Sequence, residues 1–219
     1  MKNVKNVFVL ALLLPVFFSC KKNNDDCPSP NDSTIVSYDN YSQLKVGNYW
    51  IYQIFNLDSS GNAVATNAYD SSWIDRDTVT NGKTYYFRRS VNTLSTTDGW
   101  FRDSLHYITT ISGEINFSYQ DFNTVFKSYY LNANPFDTIA FVTVKMSDPN
   151  FIKNTPLGNY VTQNFKTNYD MFPNWSSAGT PRSINVRYAK NVGIVSETLL
   201  FFASTPTYQE RRLVRYYVH

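Results

Sequence analysis

Histidine and cysteine are scarce in this sequence, with two of each among 219 residues. The histidines are His106 and His219, and both cysteines, Cys20 and Cys27, lie near the N-terminus. A structural zinc site uses four nitrogen or sulfur ligands and a catalytic zinc site uses three, so the sequence predicts no metal site and no cofactor. Two cysteines cannot form a disulfide framework either. We therefore expect the fold to be stabilised by its core alone.

Common catalytic motifs are also missing. The sequence has no Gly-x-Ser-x-Gly elbow, no glycine-rich phosphate loop and no His-Glu-x-x-His pair. A Ser-His-Asp triad would have to use His106, whose neighbours in LHYITT favour an ordinary strand histidine. Asp75 and Asp77 would share a strand face and could ligate calcium or act as an acid pair, but without an EF-hand pattern a solvated face is favoured. These absences predict a protein that is not an enzyme.

An excess of positive charge is absent once the N-terminal segment is set aside. The whole chain has 20 basic and 17 acidic side chains; removal of residues 1–19 takes away Lys2 and Lys5, which leaves 18 − 17 = +1. A nucleic-acid binder needs a basic stripe, so no nucleic-acid partner is expected. Arg211, Arg212 and Arg215 would be split between two strand faces, and solvated edge charges are the favoured interpretation.

The first twenty residues, MKNVKNVFVLALLLPVFFSC, have the layout of a secretory signal. Two lysines precede an apolar run over residues 7–18, which is shorter than the roughly 20 residues of a transmembrane helix. The segment resembles a bacterial lipoprotein signal, whose lipobox ends in a small residue and an obligatory cysteine, here Ser19 and Cys20. The resemblance implies lipid attachment to Cys20. In the alternative, Cys20 is an ordinary residue that could pair with Cys27.

This signal predicts three regions in the chain. They are a lipoprotein signal peptide (1–19), the lipidated Cys20 with a flexible tether (20–42), and a single β domain (43–219). The stretch before residue 43 is rich in Asn, Asp, Ser and Lys and is too polar to pack a core. Lys21 is not the Asp that the sorting rule of many Gram-negative lipoproteins associates with inner-membrane retention. The resemblance therefore implies a lipid anchor in the bacterial outer membrane, and the face of that membrane, periplasmic or cell-surface, stays open.

Turn signals at short intervals predict consecutive hairpins. Asn81-Gly82 and Asp98-Gly99 are flanked by strand formers, and such pairs suit the type I′ turn, which needs positive φ at both central residues. We predict twelve strands, over residues 50–57, 69–79, 83–91, 100–102, 105–111, 114–119, 126–131, 138–146, 159–166, 183–189, 193–202 and 208–218. No capped 3.6-residue period occurs, so little helix is expected.

The predicted fold class is all-β. A curved antiparallel sheet of consecutive hairpins is expected, barrel-like because closure removes exposed edges, with a β-sandwich as the alternative. Four of the nine prolines lie between residues 148 and 181. This concentration predicts a long loop over one end of the sheet.

Two short segments resemble a group of poorly characterised Bacteroidetes-type outer-membrane lipoproteins. The mature domains of these proteins often begin with Gly-x-x-Trp-x-Tyr, which here is Gly47, Trp50 and Tyr52. Their late Val-Gly-x-Val element corresponds to Val192-Gly193-Ile194-Val195. The resemblance implies an exported, lipid-anchored domain and brings no assigned activity.

Aromatic residues are abundant, with 17 Tyr, 16 Phe and 4 Trp. Most would form strands and fill the core. Three lie beside turns or in the expected loop and are the candidate ligand-contact residues: Trp100, Tyr169 and Trp175. They could contact a sugar ring or an apolar ligand.

Three functions are compatible with these features. The first is a non-enzymatic outer-membrane lipoprotein domain that binds or scaffolds an envelope component, with the membrane as partner through the lipid anchor. The second is a carrier of a hydrophobic ligand, which predicts a cavity of at least about 300 Å³. The third is a glycan-binding or glycan-processing protein, which as an enzyme predicts two acids across a cleft with one raised pKa. The oligomeric state stays open.

Overall fold

A computed structural model describes residues 38–58, 60–91, 98–179, 181–199 and 208–219. Within these ranges the chain forms one sheet of twelve strands. The predicted signal peptide, Cys20 and Cys27 lie outside the described residues. The strands are Tyr49–Leu57 (β1), Ala63–Thr80 (β2), Lys83–Val91 (β3), Gly99–Ser104 (β4), Tyr107–Thr110 (β5), Ile115–Ser118 (β6), Lys127–Asn134 (β7), Asp137–Thr155 (β8), Gly158–Met171 (β9), Arg182–Ala189 (β10), Gly193–Thr198 (β11) and Tyr208–Tyr217 (β12).

The sheet order reflects consecutive hairpins. It runs β6-β5-β4-β3-β2-β1-β12-β11-β10-β9-β8-β7, and the strand pairs are antiparallel. The first and last strands pair at the centre, and β6 and β7 are the two edges. The sheet curls into a half-barrel, so the predicted all-β, barrel-like class is confirmed. In the described part of the chain the helical segment is a short 3₁₀ helix, Pro173–Ala178.

Local turn chemistry explains part of this pattern. Asn81 and Gly82, between β2 and β3, have φ values of 51° and 69°, as a type I′ turn requires. Asp98-Gly99 is different: Gly99 has no positive φ and begins β4, opposite Arg88 of β3. The turn predicted there is wrong, because Gly99 already belongs to the ladder.

The long loop predicted over residues 148–181 is also wrong. Strand β8 continues to Thr155 and β9 starts at Gly158, so most of the described residues in this range belong to two strands, and a short irregular segment surrounds the 3₁₀ helix. The register shifts between Ser147 and Phe151, where Asp148 and Asn150 have φ values of 46° and 60°. Such a bulge tolerates Pro149 because its position in the hydrogen-bonded ladder is already interrupted.

The two segments that carry the lipoprotein resemblance contact each other in the core. Trp50 Nε1 donates a hydrogen bond to the carbonyl oxygen of Val192 at 2.6 Å, and the Tyr52 hydroxyl donates to the carbonyl of Ile194 at 3.1 Å. Gly193 lies directly under the Trp50 indole, where a Cβ would be 3.1 Å from the ring. These contacts join β1 to β11 across the intervening β12.

A buried ion cluster lies on the same face as this core. Arg211 is 3% exposed and contacts Asp70 at 2.5 Å, Glu197 through its Nε at 2.9 Å, and the Ser90 hydroxyl at 3.1 Å. Its guanidinium also lies 4.6 Å from the centre of the Tyr52 ring. Burial alone would lower the pKa of Arg211, but the nearby carboxylates outweigh it and raise the pKa.

The expectation of solvated edge charges is therefore wrong for Arg211. The registers place Arg211 opposite Ile54 of β1 and Glu197 of β11, which puts its side chain on the buried face. Arg215 is exposed, as expected. Periodicity within β12 could not reveal this difference, because the acidic partners come from other strands.

Candidate functional site

A cleft of about 350 Å³ lies where the first described residues cross strands β4 to β6. One wall is the segment 38–41, and the other is the β4–β5 turn with the adjoining strand ends. The residues that line it are Tyr38, Asp39, Asn40, Tyr41, Asp103, Leu105, His106, Tyr107, Ile108, Phe117 and Tyr119. A volume of this size is within the range of small-molecule sites, about 300–1,000 Å³.

The wall formed by residues 38–41 is fixed by hydrogen bonds at several points. The N–H of Asn191 donates to the carbonyl of Asn40 at 2.7 Å, and Lys190 forms an ion pair with Asp39 at 2.6 Å. The Ser42 hydroxyl donates to Asp103 at 2.6 Å. This part of the predicted tether thus lies against the sheet.

Aromatic contacts complete the attachment of this wall. The Tyr41 ring packs on Phe117 and Tyr119, with centroid distances of 5.2 and 5.5 Å. Tyr119 also meets the His106 ring edge-on at 6.2 Å. Together these rings give the cleft flat, apolar surfaces.

The opposite wall combines aromatic and polar groups. The His106 and Tyr107 rings are 3.9 Å apart, and the Tyr107 hydroxyl donates to Asp121 at 3.1 Å. Leu105 is 61% exposed in the β4–β5 turn and has a φ of 57°. The turn therefore presents an apolar side chain at the cleft beside the two rings.

Asp103 is the acid of the cleft with a perturbed pKa. Loss of solvation raises its pKa, and the hydrogen bond from Ser42 opposes the rise. On the other wall, the hydrogen bond and the charge of Asp39 raise the pKa of Lys190. The cleft thus offers the exposed carboxyl of Asp103 and the ion-paired carboxylate of Asp39 beside aromatic rings, an arrangement suited to hydrogen-bonding a polar ligand.

The predicted ligand-contact residues lie in three separate environments, and none lines this cleft. Trp100 of β4 packs on Phe87 at 4.9 Å and has the Arg76 guanidinium 5.5 Å away. Trp175 is in the 3₁₀ helix and donates a hydrogen bond to Asp137 at 3.0 Å. Tyr169 of β9 is buried at a second cavity, where burial raises its pKa to about 12.

Among the residues of the cleft, His106 is the one that the sequence marks as a candidate. Tyr38 and Tyr41 lie in the predicted tether, since their neighbours are polar. Two tyrosines three residues apart in SYDNYS were the available signal. Asp75, considered as one of an acid pair, instead forms ion pairs with Arg76 at 2.5 Å and Arg89 at 3.5 Å.

Two features are absent from the described ranges. No group of three or more His, Cys, Asp and Glu side chains there is placed to hold a metal ion. No helix in the same ranges has the length and apolar character needed to cross a membrane.

Comparison with known proteins found similar solved structures. No protein-family model matches the chain, and no curated protein matches it. A protein of Bacteroides fragilis, named as exported and as having a YmcC-like fold, is 12% identical and has a TM-score of 0.44; the match covers 82% of this chain and 99% of that one. A protein of Parabacteroides distasonis, named as a lipoprotein, is 13% identical with a TM-score of 0.43, over 83% of this chain and 100% of that one. Both neighbours come from Bacteroidetes.

Proposed function

We propose that this chain is a lipid-anchored outer-membrane lipoprotein whose β domain binds a sugar unit of an envelope glycan without converting it. The observation that carries the proposal is the cleft between residues 38–41 and strands β4 to β6. Its aromatic walls and its few polar groups are the combination that binding sites for small polar molecules use.

The chemistry of the cleft suits a sugar ring. The apolar face of a pyranose can lie on an aromatic ring, and Tyr38, Tyr107 and Tyr119 supply such rings. Sugar hydroxyls need both donors and acceptors, which Asp103 and Asn40 provide at the same cleft. A simple apolar ligand would displace water from these polar groups without replacing its hydrogen bonds, which costs free energy.

The non-enzymatic part of the proposal is supported by the contacts of the two acids. Asp39 is ion-paired with Lys190, and Asp103 accepts the Ser42 hydroxyl. Both carboxyls thus secure the wall formed by residues 38–41. Binding is the function that leaves these contacts intact.

The anchor part of the proposal rests on the signal that ends at Cys20. A lipid on Cys20 would place the domain at the membrane, since acyl burial contributes about 0.8 kcal/mol per CH₂. Tyr38 of the cleft lies 18 residues after Cys20 in the sequence.

Glycan-array screening followed by calorimetry tests the binding. The mature chain with Cys20→Ala is screened, and the strongest glycan is then titrated into Tyr38→Ala and Tyr69→Ala variants. Tyr38 is 42% exposed and lines the cleft, whereas Tyr69 is 62% exposed on β2 and is the matched control. We expect Tyr38→Ala to weaken binding about tenfold, which corresponds to about 1.4 kcal/mol, and Tyr69→Ala to leave it unchanged.

Three results would contradict the proposal. Absence of glycan binding, or equal affinity in both tyrosine variants, would exclude the cleft as a glycan site. Glycan products that appear with the wild type and disappear with Asp103→Asn would show turnover instead of simple binding.

A further inference from the structure

A second cavity, of about 420 Å³, lies between the two edges of the sheet. Its walls come from the start of β6 on one side and from β7, β8 and β9 on the other. It shares no lining residue with the cleft of residues 38–41. It can therefore be considered a separate site that does not depend on the proposed glycan binding.

Polar and apolar groups both line this cavity, and its most buried wall is apolar and aromatic. Val144 and Tyr169, each 8% exposed, form its most buried part. Ile115, Phe126 and Phe165 are half-buried around them, and the two phenylalanine rings are stacked with centroids 6.3 Å apart. Such walls favour an aliphatic chain, because each buried CH₂ contributes about 0.8 kcal/mol.

The rim of the cavity carries one charge of each sign. Lys127 Nζ and a Glu114 carboxylate oxygen are 3.0 Å apart, with 56% and 58% of the side chains exposed. Lys127 Nζ also lies 5.7 Å from the centre of the Tyr129 ring. Glu114 immediately precedes β6 and Lys127 opens β7, so this pair connects the two edges at the cavity mouth.

We propose that this cavity binds a single-chain zwitterionic phospholipid. The aliphatic chain lies against Ile115, Val144 and Phe165, the phosphate contacts Lys127, and the head-group ammonium contacts Glu114. Binding would separate the ion pair between Lys127 and Glu114. A zwitterionic head group carries both charges, so it gives each of these side chains a new partner. A fatty acid would satisfy Lys127 but would place its carboxylate beside Glu114, where like charges repel.

Calorimetric titration with a short-chain lysophosphatidylethanolamine, below its critical micelle concentration, tests this assignment. The mature chain with Cys20→Ala is used, and Lys127→Ala and Glu114→Ala are each expected to weaken binding about fivefold or more. Lys83→Ala, at an exposed lysine of the β2–β3 hairpin, is the matched control and should bind as the parent does. The swap Glu114→Lys with Lys127→Glu keeps both charges and should retain affinity within about threefold.

A second measurement locates the chain inside the protein. Nuclear Overhauser contacts between the lipid methylenes and the Val144 methyls are expected in the complex. Absence of these contacts, absence of binding, or affinities unaffected by both alanine variants would overturn the proposal. Tighter binding of the fatty acid than of the zwitterionic lipid would also overturn it, whatever the outcome of the glycan screen.

Discussion

Among single residues, Arg211 has the strongest predicted effect on stability. Replacing it with methionine leaves the buried carboxylate of Asp70 and the partly buried carboxylate of Glu197 without their cation. Breaking one side of a buried ion pair costs about 3–5 kcal/mol. We therefore expect Arg211→Met to lower the free energy of unfolding by that amount in urea denaturation.

Arg215→Met is the control for this prediction. Arg215 lies on the same strand, is exposed, and has its guanidinium 6.0 Å from the Tyr49 ring centre. Its replacement should cost less than about 1 kcal/mol. Equal losses for the two variants would mean that the buried cluster contributes nothing specific.

Asp148 should make stability depend on pH. Burial pushes its pKa up, but the hydrogen bond from Asn164 at 2.8 Å and the Arg187 guanidinium at 3.1 Å outweigh burial and lower the pKa. A lowered pKa stabilises the folded state above the unfolded value, about 3.9, and this contribution is lost as the pH falls through the folded value. Because 40% of the side chain is exposed, we expect about 1 kcal/mol or less.

Urea denaturation of Asp148→Asn and the wild type over a pH series measures this effect. The difference between their free energies of unfolding should be constant near neutral pH. It should shrink below about pH 4. A difference that does not change with pH would show that the charge of Asp148 has no part in stability.

For the strands and turns, the sequence predicted those features that depend only on a short segment of the chain. Asn81-Gly82 could be recognised as a turn because positive φ at two successive residues suits few residue pairs. The bulge at Asp148–Asn150 could not be recognised from the sequence, since its stability depends on the partner strand β9. The prolines therefore predicted a loop, whereas Pro149 lies at a bulge within a continuous strand.

Substitution of two glycines should distinguish the cost of backbone strain from the cost of a steric clash. Gly82 and Gly193 have φ values of 69° and 98°, but a Cβ on Gly82 meets no atom within 4 Å whereas one on Gly193 meets the Trp50 indole. Gly82→Ala should cost about 1–2 kcal/mol from the backbone conformation. Gly193→Ala should cost about 1–3 kcal/mol more, because the Trp50 ring must move.

Chemical denaturation followed by tryptophan fluorescence compares the two glycine variants. Trp50 is one of the four tryptophans, and it should also change its emission in the folded Gly193→Ala protein. Equal stabilities of the two variants would mean that the contact between Gly193 and the Trp50 indole is loose enough to accept a methyl group.

On the scale of the whole molecule, pattern and composition predicted the architecture but not the sites. Alternation and turn spacing reflect local preferences, so the all-β class followed from them. The cleft depends on Asn40 reaching Asn191 and on Ser42 reaching Asp103, contacts between residues distant in sequence. The Glu114–Lys127 pair joins residues only 13 apart in sequence, but it also depends on the fold, because curvature of the sheet brings its two edges together.

Lipid attachment is the property that would decide where the whole molecule lies. We expect the wild-type protein purified from membranes to exceed the mass of the chain from Cys20 onward by the mass of its acyl groups. Cys20→Ala should lose this increment and appear in the soluble fraction, because several acyl chains are needed for stable anchoring.

Cys27→Ala is the matched control, since it removes the other cysteine seven residues away. It should keep both the added mass and the membrane association. If Cys27→Ala behaved like Cys20→Ala, a disulfide between the two would explain the result better than lipidation. An unmodified wild-type protein free in solution would exclude the anchor while leaving the glycan and phospholipid sites to be tested on their own, because neither set of lining residues includes a cysteine.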